Sequence, residues 1–152
     1  MLREVIKSDF DKLYEWVNDK EVRKNGYKQE LVEKTEYYKW FVEKLGSPNA
    51  MMFIIEQDEK DVGELRIEKH KNDALIIYSI DKRHRWNGIG KKSIGLIESY
   101  YQMNKHMFKG IESFSAFVKA NNIYSIKIFE RNNFIRIYED SKYIVFRKSL
   151  EA

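Results

Sequence analysis

The stretch Ile76 to Ser93, I-I-Y-S-I-D-K-R-H-R-W-N-G-I-G-K-K-S, constrains the fold more than any other. An apolar run of strand length feeds a basic loop holding Gly88 and Gly90, and an amphipathic pattern follows. Backbone N–H groups at the start of a helix, left bare by glycine and flanked by cations, make a site for a phosphate-bearing ligand. The plain alternative is an ordinary strand-to-helix turn. Charge separates the two readings. Asp81 to Lys92 carries five cations against one acid, a net of +4, which equals the net charge of the whole chain and leaves 23 basic and 23 acidic residues elsewhere. The positive excess therefore sits where the glycines are. A nucleic-acid surface would spread it along a face, so no nucleic-acid partner is expected.

The remaining composition sets outer bounds. The 152 residues suit a single domain, 1–152, able to bury a sizeable core. With 43% hydrophobic and 34% charged residues the chain reads as globular. No apolar run reaches the roughly 20 residues of a membrane span, so no membrane partner is expected. The first residues hold no apolar signal core, and the cytoplasm is the expected compartment. The absence of cysteine removes thiolate nucleophiles, disulfides and Cys-type zinc sites, and no metal is expected.

Periodicity then divides the chain. Leu2 to Lys7 reads as a strand, with Ser8 as the cap of a helix whose core stripe is Phe10, Leu13, Tyr14 and Val17. Trp16 lies off that stripe. Asn18-Asp19 and Asn25-Gly26 read as breaks. A second helix begins near Thr35 with Tyr38, Phe41, Val42 and Leu45 inward. Three strands follow, Met51–Ile55, Val62–Glu68 and Ala74–Ile80. A helix after Gly90 carries Ile94, Ile97 and Tyr101. Ile111–Lys119 is a strand. Asn121 or Asn122 starts a short helix bearing Ile123, Ile126 and Phe129. Phe134–Tyr138 and Tyr143–Arg147 form a hairpin. The fold class is α/β of mixed α+β type: a mixed central sheet of about six to seven strands flanked by about four helices.

This order, and two motifs, resemble the GNAT N-acetyltransferases. Arg85-Trp86-Asn87-Gly88-Ile89-Gly90 is similar to the R/Q-x-x-G-x-G/A pyrophosphate motif. Asn122-x-x-Ser125-x-x-Ile128-Phe129-x-x-x-Asn133-Phe134 is similar to N-x-x-A/S-x-x-L-Y-x-x-x-G-F. Leu13-x-x-Trp16-x-Asn18-Asp19, Glu21-Val22-Arg23 and Tyr38-Lys39-Trp40-Phe41 resemble the RimJ/RimL-like branch, and more closely acetyltransferases of nucleotide-linked amino sugars, including the pseudaminic-acid type.

The resemblance implies central strands that splay around the pantetheine arm of acetyl-CoA. It implies Ser79 and Ile80 as backbone partners of the acetyl carbonyl and the arm. The pyrophosphate would rest on Arg85, Trp86, Asn87, Gly88, Ile89, Gly90 and Lys91, with Asn122, Ser125 and Phe129 against the cofactor from the last helix. Asn122 is equally suited to capping that helix, and the two roles are compatible. The chain departs from the family twice. The central strand, Asp73-Ala74-Leu75-Ile76, holds no internal Glu to act as base, and Phe129 stands where the family has an acidic Tyr. Glu64, Glu68, His70 and His84 are the substitute bases to weigh, Glu64 first, against the plain reading of exposed polar residues. Tyr124 is the substitute acid, against a packing role. A thiol of pKa about 8.5 can also leave as thiolate unaided.

Trp16, Arg23, Tyr27, Tyr37 and Trp40 fall on the substrate side, where aromatic faces and a cation suit a nucleotide-sugar; the alternative is that both tryptophans pack beneath the loop. The activity implied is acetyl transfer from acetyl-CoA to a small-molecule amine. A protein N-terminus or a polyamine is the alternative acceptor, and a catalytically silent acyl-CoA-binding module the alternative class. Relatives often dimerise through their C-terminal strands, which leaves a homodimer open.

Overall fold

Hydrophobic residues that alternate along the strands and recur along the helices assemble one seven-stranded sheet with order β1-β2-β3-β4-β5-β7-β6. The computed structural model describes residues 1–26, 30–85 and 87–150. The strands are β1 (Leu2–Glu4), β2 (Ala50–Gln57), β3 (Lys60–His70), β4 (Asp73–Ile80), β5 (Ser113–Lys119), β6 (Ile135–Glu139) and β7 (Tyr143–Ser149). The helices are α1 (Phe10–Val17), α2 (Lys20–Asn25), α3 (Lys34–Leu45), α4 (Ile89–Met103) and α5 (Ile123–Arg131).

All neighbours run antiparallel except β4 and β5, which are parallel and pair only at Asp73–Ser113, Ala74–Phe114 and Leu75–Ser115. Beyond those pairs β4 stays in register with β3 up to Gly63–Ile80, and β5 stays with β7 up to Lys119–Tyr143. Each strand thus keeps its outer partner while the two part from each other. The expected splay is present, and it opens a cleft in the middle of the sheet.

The two faces are filled separately. On one, Ile94, Ile97, Ile126 and Phe129 from α4 and α5 meet Ile67, Ile76, Phe114, Ala116 and Phe146. On the other, Leu13, Trp16, Tyr37 and Phe41 from α1 and α3 cover Met52 and Ile54 of β2. That second layer reaches only part of the sheet.

Several elements differ from the sequence reading. Among the described residues the helices number five, where about four were expected. The extra one, α2, lies between the two expected breaks: Asp19 caps it by accepting from the Glu21 and Val22 N–H groups at 3.1 and 3.4 Å. A break residue can equally start a helix when its side chain satisfies the free donors. Strand β1 ends early, and Asp9, not Ser8, holds the turn that follows: its carboxylate accepts from Ile6 N–H at 2.9 Å and pairs with Arg3 at 2.9 Å. Helix α3 buries Tyr37 and Phe41, while Tyr38 and Val42 stay 47% and 39% exposed. Two stripes one residue apart share Phe41; Phe10 touches both tyrosines, at 5.8 and 5.1 Å, and Tyr37 is the one enclosed, between Tyr14 of α1 and Trp40. Ile123 is likewise turned outward.

Gly63 sets the spacing where β3 passes the end of β4. A Cβ there would lie 2.5 Å from the Ser79 carbonyl oxygen, which is backbone and cannot swing away. Gly63→Ala is therefore expected to lower the urea midpoint, with an overpacking cost of about 1–3 kcal/mol. An unchanged midpoint would contradict this spacing.

Candidate active site

Strand β4 ends at a buried carboxylate. Asp81, 3% exposed, accepts from the Trp16 indole N–H at 2.8 Å, the Arg83 backbone N–H at 2.9 Å, and the Arg83 guanidinium at 2.8 and 3.1 Å. The Arg83 hydrogen bonds, backed by that from Trp16, hold this carboxyl well below the usual range. One aspartate thus ties the end of β4, α1 and the basic loop together. It also explains Trp16. The ring lies off the apolar stripe of α1, yet it is 6% exposed because its one polar atom has a partner.

Arg85 departs from its expected task. Its Nε donates to the Ile80 carbonyl at 3.0 Å, and its Nη2 pairs with Asp19 at 2.6 Å. The guanidinium joins the loop to the cap of α2 and is not turned to the glycines. Between these parts lies a cavity of about 480 Å³ lined by Trp16, Asp19, Ile80, Asp81, Lys82 and Arg85, among others.

The two glycines flank the first residue of α4. Gly88 precedes α4 with φ of +76°, in the left-handed region, and contributes no capping side chain. The N–H groups of the first turn, Ile89 to Lys91, lack helical acceptors by geometry. Asn87 and Gly88 are exposed, as is Lys91, so anionic groups can reach these donors. Gly90 is buried: a Cβ there would sit 2.6 Å from the Ile128 side chain and 3.5 Å from the Tyr78 ring.

The two edges of β4 have different duties. Asp81 N–H donates to the Val62 carbonyl at 2.8 Å, and the Asn72 carbonyl accepts from Glu112 N–H at 2.7 Å. Alternation along a strand then turns the backbone of Leu75, Ile77 and Ser79 toward β3, and that of Ile76, Tyr78 and Ile80 toward the cleft. This corrects the expectation for Ser79, whose N–H and C=O belong to the β3 ladder. Tyr78 and Ile80 are the residues at this end of β4 whose backbone faces the cleft.

On the α1–α3 face, Ser79 Oγ donates to Glu64 at 3.4 Å. Burial pushes the Glu64 carboxyl up, with Arg66 opposing. Tyr37 stands close: burial and then the Glu64 charge raise its phenol. Its ring stacks on Trp40 at 5.3 Å, and the Arg66 guanidinium lies 4.7 Å from the Trp40 ring centre. Arg23, its pKa lowered by burial, is electrostatically coupled to Tyr37. Arg23, Trp40, Glu64 and Ser79 thus converge as one cluster, joined by Tyr37 and by Arg66. Arg66 lies between Glu64 and Glu68 on β3, and its side chain is only 19% exposed. Glu68 is a poor base, because Lys44 at 2.6 Å and Arg66 outweigh burial and hold its carboxyl low. His70 is exposed at the end of β3.

On the α4–α5 face, Asn122 caps α5 by accepting from Ser125 N–H at 3.2 Å. Ser125 Oγ lies 2.7 Å from the Tyr78 hydroxyl. Tyr124 is half-buried, across the sheet from Glu64. Phe129, 2% exposed, packs among Tyr78, Phe134 and Phe146, so its ring belongs to the core and not to a cofactor surface. Trp86 and Tyr27 lie outside the described residues. Among those described, no helix is long and apolar enough to cross a membrane.

Comparison with known proteins agrees with this arrangement. The acetyltransferase (GNAT) domain family matches residues 1–135. No curated protein matches in sequence. Among solved structures the fold is shared with a domain from Methanocaldococcus jannaschii, at 20% identity and a TM-score of 0.82 over 99% of this chain and 97% of the other. It is shared with spermidine N-acetyltransferase from Vibrio cholerae in complex with CoA and spermine, at 12% identity and 0.84 over 98% and 94%. It is shared too with the acetyltransferase from Salmonella typhimurium that modifies the N-terminal serine of ribosomal protein L7/L12, at 17% identity and 0.78 over 99% and 94%. The chain belongs to the GNAT acetyltransferase family. It is an N-acetyltransferase that uses acetyl-CoA.

Removing the Asp81 carboxylate strands the Trp16 N–H in the interior. Asp81→Ala is expected to lose about 1–3 kcal/mol at neutral pH, measured by urea unfolding. A carboxyl held low contributes stability above its unfolded value, about 3.9, and loses it as the pH falls further. The gap between wild type and variant should therefore narrow in acid.

Proposed function

We propose that the chain acetylates the amino group of a small anionic acceptor, with a nucleotide-linked amino sugar the best-fitting class. The observation that carries this reading is the cleft between β4 and β5, with Glu64 and Ser79 on one face and the bare start of α4 at its end. The cofactor pyrophosphate would take the N–H groups from Asn87 to Lys91, favoured by the helix dipole. The pantetheine arm would lie along the cleft edge of β4, where Ile76, Tyr78 and Ile80 offer backbone groups, with Asn122 and Ser125 opposite.

The amine approaches from the α1–α3 face. Its nitrogen attacks the thioester carbonyl carbon, and an N–H group of Tyr78 or Ile80 receives the developing oxyanion. The carbon–sulfur bond then breaks and sulfur keeps the pair. Glu64 takes the proton lost by nitrogen, directly or through a water molecule. A carboxyl raised by burial is better matched to that task than an exposed one. Arg23 and Arg66 would face the acceptor's negative groups, and the stacked Tyr37–Trp40 pair its aromatic or sugar face.

A cationic acceptor, such as a polyamine or a protein N-terminus, is the second reading. Its support is the cavity rim, where Glu15 and Glu21 are exposed. Asp19 and Asp81 lend it nothing, since each already holds an arginine.

A thiol-release assay with acetyl-CoA and a panel of nucleotide-linked amino sugars, polyamines and peptide N-termini decides between them. Turnover confined to polyamines or peptides would overturn the anionic reading. Gly88→Asp points a carboxylate into the open space at the start of α4 and should raise KM for acetyl-CoA about tenfold or more, the equivalent of about 1.4 kcal/mol. Glu64→Gln should lower kcat by a factor on the order of 10²–10⁴. In the wild type, kcat/KM should rise with pH through a limb lying above the ordinary glutamate value of about 4.3, because the proton must leave Glu64 first. That limb should vanish in the variant.

A further inference from the structure

Amine attack on a thioester leaves a thiolate, and a thiolate forming in a partly dry cleft calls for a hydrogen-bond donor. Phe129 has none to offer. Tyr78 has one. Its backbone faces the cleft, as the alternation along β4 requires, while its side chain crosses to the α4–α5 side. There its ring meets Phe129 edge-on at 6.0 Å and 66°, and its hydroxyl lies 2.7 Å from Ser125 Oγ. This contact joins β4 to the start of α5, past the point where β4 and β5 cease to pair. Ser125 is itself fixed, because its N–H is held by Asn122 Oδ1 at 3.2 Å.

We propose that Tyr78 is a catalytic residue whose hydroxyl, oriented by Ser125, hydrogen-bonds the departing CoA sulfur. The inference rests on the cofactor arm occupying the cleft. When Ser125 donates to the Tyr78 oxygen, the phenolic hydrogen is left to turn toward the sulfur. The balance is simple. Nitrogen bonds to the acetyl carbon, the carbon–sulfur bond breaks, and the pair stays on sulfur. The amine proton goes to Glu64, and Tyr78 keeps its own proton and acts as a donor only.

The surroundings suit that role. Burial raises the phenol of Tyr78, the Ser125 hydrogen bond opposes, and Tyr124 adds in the same direction as burial. Among the described residues the groups that act on the Tyr78 hydroxyl are Ser125 and Tyr124, and neither carries a charge at neutral pH. The group stays neutral, and therefore a donor, throughout the pH range of an assay.

Bound CoA is the probe, and the ultraviolet absorbance of its thiolate reads the contact without any acceptor. A donor aimed at sulfur favours the charged form, so the thiol of CoA bound to wild type should titrate below that of free CoA titrated alongside it. Tyr78→Phe should raise that value by about one unit, a tenfold loss of thiolate at a given pH. It should lower kcat about 10- to 100-fold and leave KM for acetyl-CoA within about threefold, in keeping with one hydrogen bond to a charged group. Ser125→Ala, which leaves the ring and core packing in place, should move both readouts in the same direction by less, and it serves if Tyr78→Phe does not fold. An unchanged thiol titration and kcat in either folded variant would overturn the proposal. Failure of the wild type to bind CoA at all would instead overturn the placement of the cofactor in the cleft.

Discussion

The structure depends on the parting of β4 from β5. A strand inside a sheet must satisfy backbone groups on both edges. Here the two central strands meet that demand together for only three residue pairs. Beyond them each relies on its outer neighbour, and the inner edges of Ile76 to Ile80 and Ala116 to Lys119 have no strand across from them. The two halves hold because both are anchored: β3 pairs with β4 along its full length, β7 does so with β5, and α4 and α5 fill the space on one face. The opening is thus built by strands satisfied along their outer edges, and it leaves polar backbone groups facing inward.

Electrostatics then orders the ends of that opening. The basic loop reads as a pool of free cations, but its two arginines are committed. Arg83 neutralises Asp81, and Arg85 reaches across to Asp19. Their work is to lock the loop against α1 and α2, which fixes the position of Gly88 and the start of α4. The backbone donors at the start of α4 and the exposed Lys91 and Lys92 are what remains uncommitted to these two pairs. The same economy appears on the α1–α3 face, where Arg66 stacks on Trp40 between two glutamates of opposite fate. Glu64 is pushed up by burial; Glu68 is held low by Lys44.

Much of this could be read in advance, because it depends on local pattern. The 3.6-residue period gave Ile94 and Ile97 an inward face, and the helix read as following Gly90 starts one residue before it, at Ile89. Errors arose where two local patterns were nearly degenerate. On α3 the stripes through Tyr37 and Tyr38 share Phe41 and both touch Phe10, and what separates them is the enclosure of Tyr37 between Tyr14 and Trp40. Asn18-Asp19 and Asn25-Gly26 were rightly taken as breaks, but a break is also the boundary of a helix six residues long.

What the sequence determined by itself was the order of elements, the family to which the chain belongs, and the location of the glycine-bearing basic turn before α4. These follow from periodicity, glycine placement and charge density, all local along the chain. Tertiary structure alone decided the partners. It joined Asp81 to Trp16, 65 residues apart, turned the backbone of Ser79 away from the cleft and that of Tyr78 toward it, and brought Tyr78 to Ser125 across 47 residues. Register and packing between distant segments set those relations, and a polar side chain in a sequence carries no mark of which distant group will satisfy it.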